Sequence, residues 1–94
     1  MRRIFVSRTA AADLGRLRAW LEALEISSDG AGDRLADAVA SLARFPDRGR
    51  PGPRPDLREL VVPFGKGAYL IAYRVFADRV IVARIRHSRE QPPR

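Results

Sequence analysis

The chain is predicted to fold as a two-layer α+β domain: an N-terminal strand, an antiparallel helical hairpin, then a three-stranded antiparallel sheet. Three observations predict this. Two stretches in the first half repeat apolar residues at helical spacing. Three stretches in the second half alternate at strand spacing, and a run of prolines and glycines separates the halves. Helices gathered on one side of a largely antiparallel sheet make two layers around one core. Ninety-four residues leave room for one domain, 1–94, and no internal repeat divides it.

Ile4, Phe5 and Val6 form a short apolar run ending at Ser7, enough for one strand. Ser7 or Thr9 can cap the helix that follows, since a side-chain oxygen accepts from an orphan first-turn amide. Leu14, Leu17, Leu21 and Leu24 then recur at intervals of three, four and three, with Trp20 on their flank. Gly15 within this stripe costs about 1 kcal/mol against alanine, so the helix relies on packing. The pattern dissolves over Ile26–Gly30, a loop. A second stripe, Leu35, Ala38, Val39 and Leu42, ends before Pro46, which cannot continue a helix. Two such helices joined by a short loop pack as an antiparallel hairpin.

From Pro46 to Asp56 the sequence reads PDRGRPGPRPD, a stiff segment without regular structure. Leu57 to Val62 is a strand stopped by Pro63 and Gly65. Ala68 to Phe76 is a second, with Tyr69, Ile71, Tyr73 and Val75 on one face and Leu70, Ala72, Arg74 and Phe76 on the other. After a turn at Ala77-Asp78, Arg79 to His87 returns as the third. Strict alternation puts Val80, Val82, Arg84 and Arg86 on one face and Ile81, Ala83, Ile85 and His87 on the other. Ser88 to Arg94 is a polar tail in which Pro92-Pro93 blocks further structure.

Charge is the informative quantity. Eighteen basic residues against eleven acidic ones leave a formal charge of +7, and all the basic residues but Lys66 are arginine. A basic domain points to a polyanionic partner: nucleic acid, a membrane surface or an acidic protein. There is no cysteine and one histidine, so neither a disulfide nor a metal site is expected, and no cofactor is implied. No apolar stretch of signal-peptide length follows the start Met1 to Val6, and no run approaches a membrane-spanning length, so the expectation is a cytoplasmic protein without a membrane partner.

Four segments, in order and over nearly the whole chain, resemble the RelE/ParE toxin superfamily. They are Ala10 with Asp13-Leu14 in the first helix, Leu42 to Arg50 after the second, Leu57-Arg58-Glu59-Leu60, and the hairpin Tyr69 to Val75 with Val80 to His87. The Leu-Arg-Glu-Leu wording and the Arg-Ile-Arg-His ending are closer to the ParE-like branch. The resemblance implies the toxin of a type II toxin-antitoxin system, held in a hetero-oligomeric complex by an acidic ParD-like antitoxin. An acidic, partly disordered tail that folds on binding would suit the positive charge found independently.

Within the superfamily, ParE-like members poison DNA gyrase, whereas RelE-like members are ribosome-dependent mRNA endonucleases. Cutting RNA through the 2′-hydroxyl needs a base, an acid and charge stabilisation. If the chain is a nuclease, its candidates are Arg58, Tyr73, Arg84, Arg86 and His87. No lysine stands on any strand, and no second histidine or tyrosine follows His87. Gyrase inhibition, which needs no catalytic residues here, therefore ranks first, and nuclease second. A plain basic nucleic-acid-binding module ranks last. Arg74, Arg84 and Arg86 are the candidate antitoxin contacts, because strand arginines offer bidentate partners to carboxylates.

Overall fold

The computed structural model describes residues 1–23 and 30–90. Leu24, the loop at 26–29 and Pro92-Pro93 lie outside the described residues. The chain runs β1 (Arg3–Val6), α1 (Arg8–Ala23), α2 (Ala31–Ser41), a short 3₁₀ turn (Pro46–Arg48), β2 (Arg50–Pro51), β3 (Arg58–Phe64), β4 (Gly67–Val75) and β5 (Arg79–His87). The five strands form one sheet in the order β1-β5-β4-β3-β2. β1 runs parallel to β5 and every other neighbour is antiparallel. Both helices lie on one face, α1 along β5 and α2 on β3, so the two-layer α+β architecture expected from the sequence is present.

Several details differ from the sequence reading. The Pro46–Asp56 segment, expected to be irregular, contributes the 3₁₀ turn and the two-residue strand β2. β2 reaches only Arg58 and Glu59 of β3. The rest of β3 is therefore a sheet edge, which explains how the strand continues through Pro63, expected to stop it. The helices flank a groove walled by Leu14, Leu17, Leu21 and Leu35, with Tyr69 as its floor.

The larger correction is in β5. Ala72 pairs with Arg84 and Tyr73 with Val82, so Ala83 is an extra, bulged residue. A bulge shifts the alternation by one. Val80 and Val82 face the core before it; Ile85 and His87 face the core after it. Arg84 and Arg86 thus share a face with each other, but not with Val80 and Val82 as strict alternation had put them. Ser7 holds the bulge: its amide donates to Val82 O at 3.0 Å and its hydroxyl to Ala83 O at 3.0 Å. The same hydroxyl oxygen accepts the Ala10 amide at 3.0 Å, so of the two candidate caps Ser7 is the one used.

The core lies between helices and sheet. Leu42, Tyr69, Ile71, Tyr73, Val80, Val82 and Ile85 are its most fully enclosed large side chains. On α2 and its C-cap, Leu35, Ala38 and Leu42 are buried as the spacing predicts. On α1 the buried stripe is Ala10, Asp13, Leu17 and Leu21, while Leu14 is 40 % exposed. Asp13, a carboxylate, stands where a leucine was expected.

Candidate functional site

Residues directly opposite each other on neighbouring strands share a face. The register therefore sorts the candidates. Arg58 opposes Tyr73, and Tyr69 opposes His87, all on the helix-covered face. Leu70 opposes Arg86, Ala72 opposes Arg84 and Arg74 opposes Ile81, all on the face without helices. Thus the five nuclease candidates do not converge: Arg58, Tyr73 and His87 lie on one side of the sheet, Arg84 and Arg86 on the other. The three candidate antitoxin contacts, Arg74, Arg84 and Arg86, do share a face.

On the covered face the polar atoms are engaged in holding the fold. The Tyr73 hydroxyl donates to Pro46 O at 2.7 Å and accepts the Gly49 amide at 2.8 Å, in a side chain with no exposure. A side chain on Gly49 would place its Cβ 2.6 Å from that hydroxyl, which is why glycine stands there. Arg58 Nη2 donates to the carbonyls of Asp47 and Gly49, both at 2.9 Å. Together Tyr73 and Arg58 fasten the proline-rich segment to the sheet. His87 is 6 % exposed, with its ring centroid 5.1 Å from both Trp20 and Tyr69. Its Nδ1 accepts the Arg89 amide at 3.2 Å, which places the imidazole proton at Nε2. A largely apolar hollow beside it is lined by Trp20, Phe64, Lys66 and Arg89. Burial pushes the Tyr69 hydroxyl above its ordinary pKa, so it stays protonated and is a weaker acid than a free phenol.

The Tyr73 role gives a direct expectation. Tyr73→Phe leaves the Gly49 amide and the Pro46 carbonyl without their partner at no change of volume. The loss in unfolding free energy is expected at about 1–3 kcal/mol, read from urea midpoints. A catalytic role would instead leave stability intact and abolish activity.

The open face carries the charge. Arg50, Glu59, Ala72 and Arg84 form one cross-strand row, and Val61, Leu70 and Arg86 the next. Glu59, almost buried, accepts from Arg50 Nη2 at 2.7 Å and lies 3.8 Å from Arg86 Nη2. Arg74 Nε sits 2.9 Å from Asp56 Oδ2, an ion-pair contact without hydrogen-bond alignment. Between the charges lie Phe5, Val61, Leu70 and Ile81. The strand residues facing this side include no lysine, histidine or tyrosine, while Arg50, Arg74, Arg84 and Arg86 each keep 39–62 % of the side chain exposed. Arg50, absent from the sequence-based candidates, joins them because β2 brings it beside Glu59.

Arg84 has a second engagement. β1 ends at Val6, so among the described residues the far part of β5 has no strand partner on that side, and α1 covers it instead. Asp13 Oδ2 accepts the Ile85 amide at 2.8 Å and Arg84 Nε at 3.0 Å; Arg84 Nη2 reaches Oδ1 at 3.2 Å. Arg16 Nη1 donates to the same carboxylate, Arg16 Nη2 donates to Ile85 O at 3.3 Å, and Arg16 Nε reaches Glu90 at 2.8 Å. One helical turn thereby supplies the acceptor and the donor that the missing strand would have given Ile85. Burial pushes the Asp13 carboxyl up, but hydrogen bonds from Arg84, the Ile85 amide and Arg16 outweigh it and hold the group below its ordinary value. Arg16 likewise holds Glu90 low. The sequence signal for Asp13 was its place on the Ala10–Leu17–Leu21 stripe, one position before the leucine credited with it.

The comparisons agree with this layout. The family model described as the ParE toxin of type II toxin-antitoxin system, parDE, matches residues 4–92. A Caulobacter vibrioides protein named Toxin RelE3 is 38 % identical over 92 residues, covering 97 % of this chain and 99 % of its own. Toxin RelE1 of the same organism is 40 % identical over 89 residues, covering 94 % and 95 %. Among solved structures, a chain of the chromosomal ParDE TA system from P. aeruginosa superposes with a TM-score of 0.71 at 23 % identity, covering 90 % of this chain and 94 % of that one. At that identity the superposition speaks for the fold, and it bears out the two-layer reading. The family match and the two toxins carry the rest: the chain belongs to the ParE toxin family of type II toxin-antitoxin systems.

Proposed function

We propose that this toxin poisons DNA gyrase in the cytoplasm and is neutralised by an acidic ParD-like antitoxin that docks on the open sheet face. One observation carries the reading. The groups suited to proton transfer, Tyr73 and His87, are buried on the helix-covered face, whereas the open face offers arginines, apolar side chains and Glu59, whose carboxylate Arg50 and Arg86 hold. Such a face suits carboxylates and apolar anchors of a polypeptide. It offers no free acid–base pair of the kind strand cleavage requires, since arginines hold Glu59. A gyrase poison traps a break the enzyme has already made, so it needs neither. The second reading, a RelE-like mRNA endonuclease, is favoured by the names of the two Caulobacter relatives.

Expressed alone in a bacterium, the chain is expected to arrest growth, and co-expression of its acidic partner is expected to restore it. Normal growth with soluble, folded protein would contradict the toxin reading. Arg74→Ala combined with Arg86→Ala should weaken the antitoxin complex by more than about 1 kcal/mol, the scale of charge-assisted contacts. Both arginines are about 40 % exposed and pair with Asp56 and Glu59, so this variant spares the Asp13 network. Unchanged affinity at moderate salt would remove these arginines as anchors.

A further inference from the structure

One end of the molecule, bordering the open face at its β1–β5 side, gathers aromatic and basic side chains from three segments. Arg2 ties them together: its amide donates to Ala43 O at 3.0 Å and its Nε to Phe76 O at 2.8 Å. Ala43 leads into Arg44 and Phe45, and Phe76 begins the β4–β5 turn. The Arg3 amide donates to Asp78 O at 3.2 Å, bringing the start of β1 to the same end. Phe45 is 63 % exposed and Phe76 37 %. The Arg79 guanidinium lies 4.6 Å above the Phe76 ring. Arg44, Phe45 and Arg48 border a surface hollow.

Helix C-termini attract arginines, which accounts for Arg44 and for Arg48, whose Nη1 donates to Ser41 Oγ at 2.6 Å. It does not account for two solvent-facing phenylalanines fixed by well-anchored backbone. Phe45 adjoins the Pro46 carbonyl that Tyr73 holds, so its position is set rather than loose. Arg2, Arg3, Arg44, Arg48 and Arg79 stand here against Asp47 and Asp78, and Asp78 is already paired with Arg79 at 3.1 Å. An acidic protein would satisfy the arginines and leave the ring faces without a specific use. A nucleotide uses both, since every base has a face that stacks on an aromatic ring and every phosphate takes an arginine.

We infer that this end binds single-stranded nucleic acid, with Phe45 and Phe76 as stacking platforms and Arg3, Arg44 and Arg79 as phosphate partners. The site adjoins the proposed antitoxin face along the Arg3–Arg79 row and stands whether or not gyrase is the target. Neither residue type alone would carry it; their juxtaposition across three segments does.

The test is fluorescence anisotropy of the 94-residue chain with a labelled oligothymidylate of about 12 nucleotides, within the site sizes such surfaces occupy. Phe45→Ala with Phe76→Ala should raise Kd at least about tenfold, as the loss of two stacking contacts implies. Arg8→Gln with Arg18→Gln removes two charges from the exposed side of α1 and should change Kd less than about threefold at fixed salt. Both pairs are exposed, and circular dichroism confirms folding. The proposal is overturned if the wild-type chain fails to bind the oligonucleotide at about 50 mM salt. It is also overturned if the two variants weaken binding alike, meaning unspecific charge. If the phenylalanine variant binds the oligonucleotide normally but loses antitoxin or gyrase, this end is a protein-docking surface and the proposal is wrong.

Discussion

Asp13→Ala is expected to lower the unfolding free energy by about 2–4 kcal/mol, a large share of the 5–15 kcal/mol available to a small domain. The variant strips the Ile85 amide of its acceptor and releases two arginines from a buried carboxylate. Arg16 and Arg84 keep about 40 % of their side chains exposed and can rehydrate, so the enclosed amide dominates the loss. Asp13→Asn keeps an oxygen for Ile85 and gives up the charge, so it should fall between wild type and alanine. Urea unfolding at neutral pH measures both. A change below about 0.5 kcal/mol for Asp13→Ala, the range of an indifferent surface substitution, would contradict the role assigned to the network.

The same network predicts acid sensitivity. Asp13 and Glu90 have folded-state pKa values below their ordinary ones. Groups shifted downward contribute stability that is fully present above the unfolded-state pKa, near 4 for carboxylates, and lost as pH falls through the folded value. Wild-type stability should thus decline below about pH 4, and Asp13→Ala should decline less over that window because it has already lost the larger contribution.

The second large effect concerns His87. A general base contributes on the order of a hundredfold or more. The His87 imidazole is packed between Trp20 and Tyr69, with Nδ1 occupied by the Arg89 amide. On the proposed function, His87→Gln, matched for folded fraction, should keep its potency within about threefold, because no proton moves through this ring. A loss of a hundredfold in a folded variant would place His87 in the chemistry and favour the nuclease reading.

The sequence disclosed the fold well wherever elements are dense in one pattern. β5 runs from Arg79 to His87, the bounds its β-branched alternation predicts, and α2 buries Leu35, Ala38 and Leu42 as their spacing requires. Features carried by single residues were harder to see. A bulge leaves no mark at Ala83 itself, because its cause is the Ser7 hydroxyl seventy-six positions away. β2 was hidden because Arg50 and Pro51 have no strand propensity and gain their pairing only from a neighbouring β3. For the site, Arg84 and Arg86 are two positions apart beyond the bulge, so their common face was legible from sequence alone. That Arg74 and Arg50 join them is a matter of register, which only the folded sheet supplies. Tyr73 and His87 read as reactive by residue type. In the folded chain both are buried and hydrogen-bonded to backbone.

On the proposed function, toxicity requires no acid–base chemistry from this chain, only a surface that engages a DNA-cleaving enzyme. The most direct test is a supercoiling assay with purified gyrase and purified toxin, run beside translating ribosomes charged with a defined message. The toxin is expected to inhibit supercoiling and accumulate cleaved DNA, antitoxin to reverse this, and the message to stay intact. Cleavage of the message at codon positions, abolished in His87→Gln, with gyrase unaffected, would contradict the proposed function.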